Sequence, residues 1–126
     1  MWTYSIKARL LERDGRLFFR GTGKGAGYSG HGAGLNNPAM EGVQGIGPLP
    51  EGRYRMTELR LTGASTGPYT IVLEQVSGNS HGRSAFRIHG DNSKGDQSAS
   101  HGCIILPPLV RHQIWESGDR DLEVTA

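Results

Sequence analysis

The stretch Ser84-Ala85-Phe86-Arg87-Ile88-His89 has the clearest strand pattern in the sequence. Apolar and polar side chains alternate along it, which places Phe86 and Ile88 on one face of a strand. Arg87 and His89 then point to the other face. We therefore expect His89 at the end of a strand, facing away from the core.

Similar patterns lie upstream of this stretch. Residues 2–6 alternate apolar with polar side chains, and Asp14-Gly15, a dipeptide that favours tight turns, separates them from residues 16–20. This predicts an opening β-hairpin. Residues 53–61 and 69–76 contain alternating or β-branched side chains and predict two further strands. Between the hairpin and these two strands, residues 21–50 are rich in Gly, Asn and Pro, and a loop of that length is usually functional or mobile.

Downstream, an apolar run over residues 103–106 is followed by Pro107-Pro108, which suits the first turn of a helix. Residues 107–117 predict one short α-helix, and residues 121–124 a last strand. Glycine accounts for 20 of the 126 residues, which disfavours long helices. We therefore expect one domain over residues 1–126: mainly β, a compact β-sandwich or barrel-like sheet pair with one short α-helix.

Charge and hydropathy exclude some classes of partner. Lys and Arg total 14 against 12 Asp and Glu, without a basic run, so nucleic acid is not expected to bind. No window is apolar enough to insert into a membrane, and the first residues do not resemble a signal peptide. A single cysteine forms no internal disulfide, so Cys103 is either an inert core thiol or a nucleophile.

The neighbours of Cys103 favour the nucleophile. It ends the stretch Ser100-His101-Gly102-Cys103, and a neighbouring strand could bring His89 beside its sulfur, where an imidazole can take the thiol proton. His101 could orient the site, bind substrate or replace His89 as the base. Gly102 would let backbone N–H groups form an oxyanion hole, and Ser100 could hydrogen-bond to a histidine ring or to substrate.

These residues resemble the signature of L,D-transpeptidase catalytic domains of the YkuD type. Other segments are similar to one branch of that family, the effectors exported by type VI secretion, and the similarity extends over nearly the whole chain. These segments are Tyr28-Ser29-Gly30, Asn36-Asn37-Pro38, residues 47–54, residues 83–91 and residues 100–104.

The resemblance implies a reaction and a set of roles. In the family a cysteine attacks the carbonyl of a diaminopimelate residue in a peptidoglycan stem peptide and releases D-alanine; the acyl group then passes to water, a D-amino acid or a second stem. Cys103 is implied as the nucleophile, His89 as the base, and Ser100, His101 and Gly102 as residues that shape the site. No cofactor or metal is implied. Ile105 stands where the family usually has Arg or Asn, a departure that affects the acyl-acceptor contacts and is closer to the effector branch.

Five further residues are candidates for substrate binding, each with a simpler alternative. Tyr28 and Ser29 could line the substrate groove or form a turn with a packed aromatic ring. Arg83 and Arg87 could hold a stem-peptide carboxylate or cover a solvated strand face. Asp91 could orient His89, bind the diaminopimelate ammonium group or cap a turn.

Two other functions compete with this interpretation. One is a zinc hydrolase with His89, His101 and Cys103 as ligands. The other is a non-catalytic peptidoglycan-binding or phage-tail module. For the enzyme, a substrate outside the inner membrane and the lack of a signal peptide imply export by a secretion apparatus into the periplasm of a neighbouring cell. A periplasmic immunity protein is then an expected partner.

Overall fold

The computed structural model describes residues 1–62 and 66–126, and in these ranges nine strands form one curled sheet that resembles half of a barrel. Its order is β3-β2-β1-β9-β5-β6-β7-β8-β4. The predicted mainly β, barrel-like fold with one short α-helix is confirmed, although the strands belong to one sheet. The elements are β1 (Trp2–Ser5), β2 (Leu10–Arg13), β3 (Arg16–Arg20), β4 (Tyr28–Ser29), β5 (Gly52–Arg60), β6 (Thr70–Gly78), β7 (Arg87–His89), β8 (Ile104–Ile105), α1 (Pro108–Glu116) and β9 (Asp121–Thr125).

The first three strands form an antiparallel meander. Asp14 and Gly15 have φ values of 49° and 82°, which gives the tight turn between β2 and β3 that the sequence predicts. A second turn separates β1 from β2. The strand that pairs with β3 is therefore β2, and β1 pairs with the other edge of β2. β9 then lies parallel to β1 and antiparallel to β5, so the last strand joins the meander to the rest of the sheet.

The core is one cluster of buried side chains along the sheet. Alternate residues of β1, β5, β6 and β9 point into it: Trp2 and Tyr4 from β1 are fully buried, and Leu122 and Val124 from β9 are nearly so. The helix α1 contributes Ile114 to the same cluster. Burial of large side chains is the dominant stabilising term in such a core.

Strand β7 is shorter than its sequence pattern indicates. Ala85 has a φ of 61°, a left-handed conformation that an extended strand does not contain, so regular pairing begins only at Arg87. Phe86 and Ile88 are nevertheless both in the core, as the alternation predicts. The bend at Ala85 turns its carbonyl group toward the candidate site.

The segment from 21 to 50 is ordered around the far edge of the sheet. It contains β4 and two single-turn 3₁₀ helices, Gly32–Gly34 and Pro38–Met40. β4 pairs antiparallel with β8, and β8 pairs parallel with β7, so three short strands bring this segment next to His89 and Cys103. In the described ranges, no helix is long and apolar enough to cross a membrane.

Candidate active site

An open cleft of about 920 Å³ lies at the end of the sheet formed by β7 and β8. Cys103 and His89, predicted as nucleophile and base, both line it. Ser100, Tyr28 and Ser29 do not: they are completely buried behind its wall. The other predicted site residues that line the cleft are His101, Gly102, Arg83, Arg87 and Asp91.

The parallel pairing of β7 with β8 sets the relation between the two central residues. Ile88 pairs with Ile104 and His89 with Ile105, and Cys103 directly precedes β8. Since side chains alternate along each strand, Ile88 and Ile104 enter the core while His89 and Cys103 face the cleft.

The Cys103 thiol is partly exposed, and its Sγ lies 3.8 Å from the carbonyl oxygen of Ala85. Burial raises the pKa of this thiol above its ordinary value of 9.0. The backbone N–H of Arg87 and the charges of Arg87 and Arg83 act in the opposite direction on the same pKa. The resting group is therefore a neutral thiol that needs a base.

His89 has the protonation state that a base requires. Its ring is 6% exposed, and burial lowers its pKa below 6.5, with the Arg111 and Arg87 charges acting in the same direction. Nδ1–H donates to the Gly90 carbonyl at 2.9 Å, so the neutral ring has its free lone pair on Nε2. Among the described residues, no hydrogen bond joins this ring to the Cys103 sulfur.

Two buried hydroxyl groups hold the backbone of the nucleophile. The carbonyl of Cys103 accepts hydrogen bonds from Ser29 Oγ at 2.9 Å and Ser100 Oγ at 2.7 Å. Ser100 Oγ in turn accepts from the N–H groups of Gly30 at 2.8 Å and Gly102 at 3.2 Å. These serines therefore position the Cys103 backbone from behind the cleft.

The backbone at Gly102 requires glycine. Its φ is +129°, and a Cβ at this position would overlap Nη2 of Arg83. Arg83 is fixed there because its four terminal N–H groups donate to backbone carbonyls. These belong to Glu41, Gly47, Pro48 and His101. In the described part of the chain, the N–H groups of His101 and Cys103 have no hydrogen-bond partner.

Asp91 and Tyr28 brace the loop that follows β7. The Tyr28 hydroxyl donates to Asp91 Oδ1 at 2.7 Å and accepts from the Ala99 N–H at 3.1 Å. Burial, and then the Asp91 hydrogen bond, raise the pKa of Tyr28. Arg87 differs from Arg83 because its Nε is buried without a partner in the described ranges. It is the cleft arginine with an uncommitted donor.

His31, for which the sequence predicts no role, lies against His101. Their ring centroids are 4.9 Å apart, with the planes at 82°. Nδ1–H of His31 donates to the Ser100 carbonyl at 2.8 Å, and that of His101 donates to the Gly45 carbonyl at 3.2 Å. No local pattern links residues 70 positions apart, so this pair follows only from the pairing of β4 with β8.

Arg111 is a second residue for which no role was predicted, although its place on the apolar side of the predicted helix was a sequence signal. It lies three residues before Ile114, on the side of α1 that packs against the sheet, and is buried. An arginine on an apolar helical face indicates a buried cation with specific partners.

The ligands of the competing zinc hypothesis do not form a cluster. Among the described residues, there is no group of three or more His, Cys, Asp or Glu side chains that could hold a metal ion. His89, His101 and Cys103 are thus not arranged as a zinc site in this structure.

The fold and the cleft agree with the comparison with known families. The model of the Tlde1 domain matches residues 23–122, from just before β4 into β9, and this range includes the whole cleft. A search of curated proteins gave no match. The chain belongs to the Tlde1 domain family, the family of type VI secretion L,D-transpeptidase effectors that act on peptidoglycan.

Proposed function

We propose that residues 1–126 form a cysteine-dependent L,D-carboxypeptidase or L,D-transpeptidase that cleaves the diaminopimelate–D-alanine bond of peptidoglycan stem peptides. The observation that carries this proposal is the presence of the Cys103 thiol and a neutral His89 ring in one cleft, with the His89 lone pair on Nε2. This pair is what thiol acylation needs, because the base must accept a proton as the sulfur attacks.

The first half-reaction forms a thioester. Cys103 Sγ attacks the diaminopimelate carbonyl while His89 Nε2 takes the thiol proton. The carbon–nitrogen bond then breaks, and the same proton passes to the departing D-alanine amine. The uncommitted N–H of Cys103, and that of His101, are candidates to stabilise the oxyanion.

The second half-reaction releases the acyl group. Water gives a tripeptide, and a D-amino acid gives an exchanged tetrapeptide; in both cases His89 removes a proton from the incoming nucleophile and the thiol is restored. Ile105, at the position where related enzymes usually have a polar residue, is fully buried and paired with Tyr28. Its buried apolar side chain offers no polar contact to an acyl acceptor, which favours small acceptors over a second stem peptide.

Substrate recognition is assigned mainly to Arg87. Arg87 lines the cleft and its guanidinium can pair with a stem-peptide carboxylate, whereas the terminal N–H groups of Arg83 are already bound to backbone carbonyls. Asp91 lines the cleft and can pair with the diaminopimelate ammonium group. Tyr28, Ser29 and Ser100 act from behind the wall, and His101 acts at its edge.

The test is mass spectrometry of disaccharide tetrapeptide incubated with the protein, with and without a free D-amino acid. We expect loss or exchange of D-alanine with the wild-type protein and none with Cys103→Ala, a loss of at least about a thousandfold. Cys103→Ser is a matched variant that keeps the shape of the side chain. Equal effects of wild type and Cys103→Ala on sacculi would instead favour a non-catalytic peptidoglycan-binding module.

The place of action follows from the substrate. We propose that the enzyme acts in the periplasm of a target cell and is opposed by a periplasmic immunity protein that covers the Cys103 cleft. A candidate immunity protein should protect Cys103 from alkylation by iodoacetamide. A protein that rescues target cells while leaving Cys103 fully reactive would contradict this mode of inhibition.

A further inference from the structure

Arg111 is a buried cation that lies behind the cleft. It belongs to α1 and is 5% exposed. Its Nε–H donates to the Leu106 carbonyl at 3.0 Å, and Nη1 donates to the carbonyls of Pro68 at 2.7 Å and Tyr69 at 3.0 Å. Within residues 1–62 and 66–126 it has no carboxylate partner. Its positive charge is therefore held in place but not neutralised.

The guanidinium packs against the backbone that surrounds His89. A Cβ on Gly90 would lie 2.7 Å from Arg111 Nη2, so the guanidinium lies close against the Gly90 backbone. The carbonyl of Gly90 accepts the hydrogen bond from His89 Nδ1–H. Leu106, whose carbonyl binds Arg111, donates its N–H to the His89 carbonyl at 3.0 Å. Arg111 thus contacts both Gly90, which binds the His89 ring, and Leu106, which binds the His89 backbone.

The charges around His89 come from several elements. Arg111 faces it from α1, Arg87 from its own strand, Asp91 from the following loop and Cys103 from the start of β8. Arg87 lines the cleft, where a substrate carboxylate can neutralise it. Arg111 lies outside the cleft lining, so a substrate does not reach it. It is the cation whose effect on His89 is independent of the bound state.

We propose that Arg111 is a positioning residue for the reaction: it packs against Gly90, whose carbonyl binds His89 Nδ1–H, and its fixed charge adds to burial in disfavouring a proton on Nε2. The inference rests on the proposed function, because a general base must be neutral before it accepts the Cys103 proton. If the proposal holds, the protonation state and orientation of the base depend on a residue of α1, which lies outside the cleft.

The direct test is an NMR titration of ¹⁵N-labelled histidine rings, with His89 assigned by comparison with His89→Gln. We expect the wild-type ring to be the Nδ1–H tautomer and to titrate below pH 6.5, the ordinary pKa. Arg111→Gln should move the titration to higher pH. Arg111→Lys, which keeps the charge but not the planar fork, should leave it close to wild type.

A second readout is the rate of Cys103 alkylation by iodoacetamide as a function of pH. Arg111→Gln should lower this rate about threefold or more at pH 6 and much less at pH 8, since only a neutral His89 assists the thiol. A purely structural role would lower both rates equally, and would make the Lys and Gln variants alike. Either result, or an unmoved His89 titration in folded Arg111→Gln, would overturn the proposal.

Neither measurement needs peptidoglycan turnover. If the tetrapeptide is not cleaved but Arg111→Gln moves the His89 titration, the proposed function fails and the role of Arg111 stands. If D-alanine is released and the titration does not move, the reverse holds. If neither variant folds, the wild-type titration decides: a His89 midpoint at or above 6.5, or an Nε2–H tautomer, contradicts the proposal.

Discussion

The strands β3, β2, β1, β9, β5 and β6 are four to nine residues long and pair with one another in ladders of at least four residue pairs, whereas β7, β8 and β4 contain only two or three residues each. We call the first group the ladder half. The second group, with its loops, is the tethered half, because hydrogen bonds with the side chains of Arg83, Ser29, Ser100 and Tyr28 hold its backbone. We expect the ladder half to contribute most of the stability. The tethered half has little regular strand pairing, and it places the Cys103 thiol and the His89 imidazole in one cleft.

The largest expected effect on stability lies in the ladder half. Trp2 is fully buried and packs edge-on against Phe18. Trp2→Ala should lower the free energy of unfolding by about 3–5 kcal/mol, because it removes a large buried side chain and leaves a cavity. Urea unfolding measures this. D-alanine release per folded molecule should be unchanged, and a fall in that rate would contradict the division into halves.

Gly102→Ala tests the tethered half. The added methyl group meets Arg83 and the φ of +129° is unfavourable for alanine, so we expect a loss of about 2–3 kcal/mol and at least about a hundredfold lower D-alanine release. The matched control is Gly15→Ala in the β2–β3 turn. There φ is also positive, at +82°, but no atom lies within 4 Å. It should cost about 1 kcal/mol with full activity; equal loss of activity in both variants would argue against a local effect.

Ser100→Ala should have an intermediate effect. It removes one donor and leaves the N–H groups of Gly30 and Gly102 without their acceptor, at a cost of about 2 kcal/mol. Activity should fall about tenfold or more as the Cys103 backbone loses one support. Ser5→Ala is the control, since Ser5 Oγ makes one exposed hydrogen bond to the Ala126 carbonyl. It should change stability by about 0.5 kcal/mol or less.

The smallest effect expected is a pH dependence that separates the halves. The lowered pKa of His89 means that the unfolded chain binds a proton more readily, so stability falls as pH drops from 6.5 to the folded-state pKa. Asp119 lies between α1 and β9 and binds Arg13 of β2 in the ladder half. Burial opposes its ionisation, but hydrogen bonds from the N-terminal ammonium group and Arg13 help to hold its pKa below 3.8. The contribution of Asp119 to the free energy of unfolding is lost only as pH falls below 3.8. Unfolding curves of His89→Gln should lack the loss of stability below pH 6.5 and keep the loss below pH 3.8. If the loss below pH 6.5 persists in this variant, it comes from a group other than His89.

The sequence predicts the ladder half better than the tethered half. The Asp14-Gly15 turn, the strands β5 and β6 and the helix α1 each follow from a local pattern of side chains or turn residues. The insertion of β9 between β1 and β5 does not, because residue pairing across the whole chain has no local signal. The positive φ of Ala85 was missed for a similar reason: tertiary packing imposes it against the preference of alanine.

For the candidate site, the sequence identifies the residues but not the partners that support them. The sequence motif predicts His89 and Cys103 as catalytic candidates, and both residues line the cleft. Ser29 was expected in the substrate groove or in a turn, and Ser100 was expected to hydrogen-bond to a histidine ring or to substrate. In the structure both hydroxyl groups donate to the Cys103 carbonyl. Such roles depend on contacts between segments that are far apart in the chain, as does the pairing of His31 with His101.

The position of β9 has a consequence for how the chain reaches its folded state. Trp2 pairs with Leu122, so the ladder between β1 and β9 joins residues that are about 120 positions apart. Contacts of such high sequence separation slow folding, because the entropy of loop closure is lost before the contacts form. During synthesis, the strands of the β1–β3 meander and those of the β5–β8 segment therefore emerge before the strand that pairs with both groups. The ladder of β9 with β1 on one side and β5 on the other completes the described sheet only when that strand has been made.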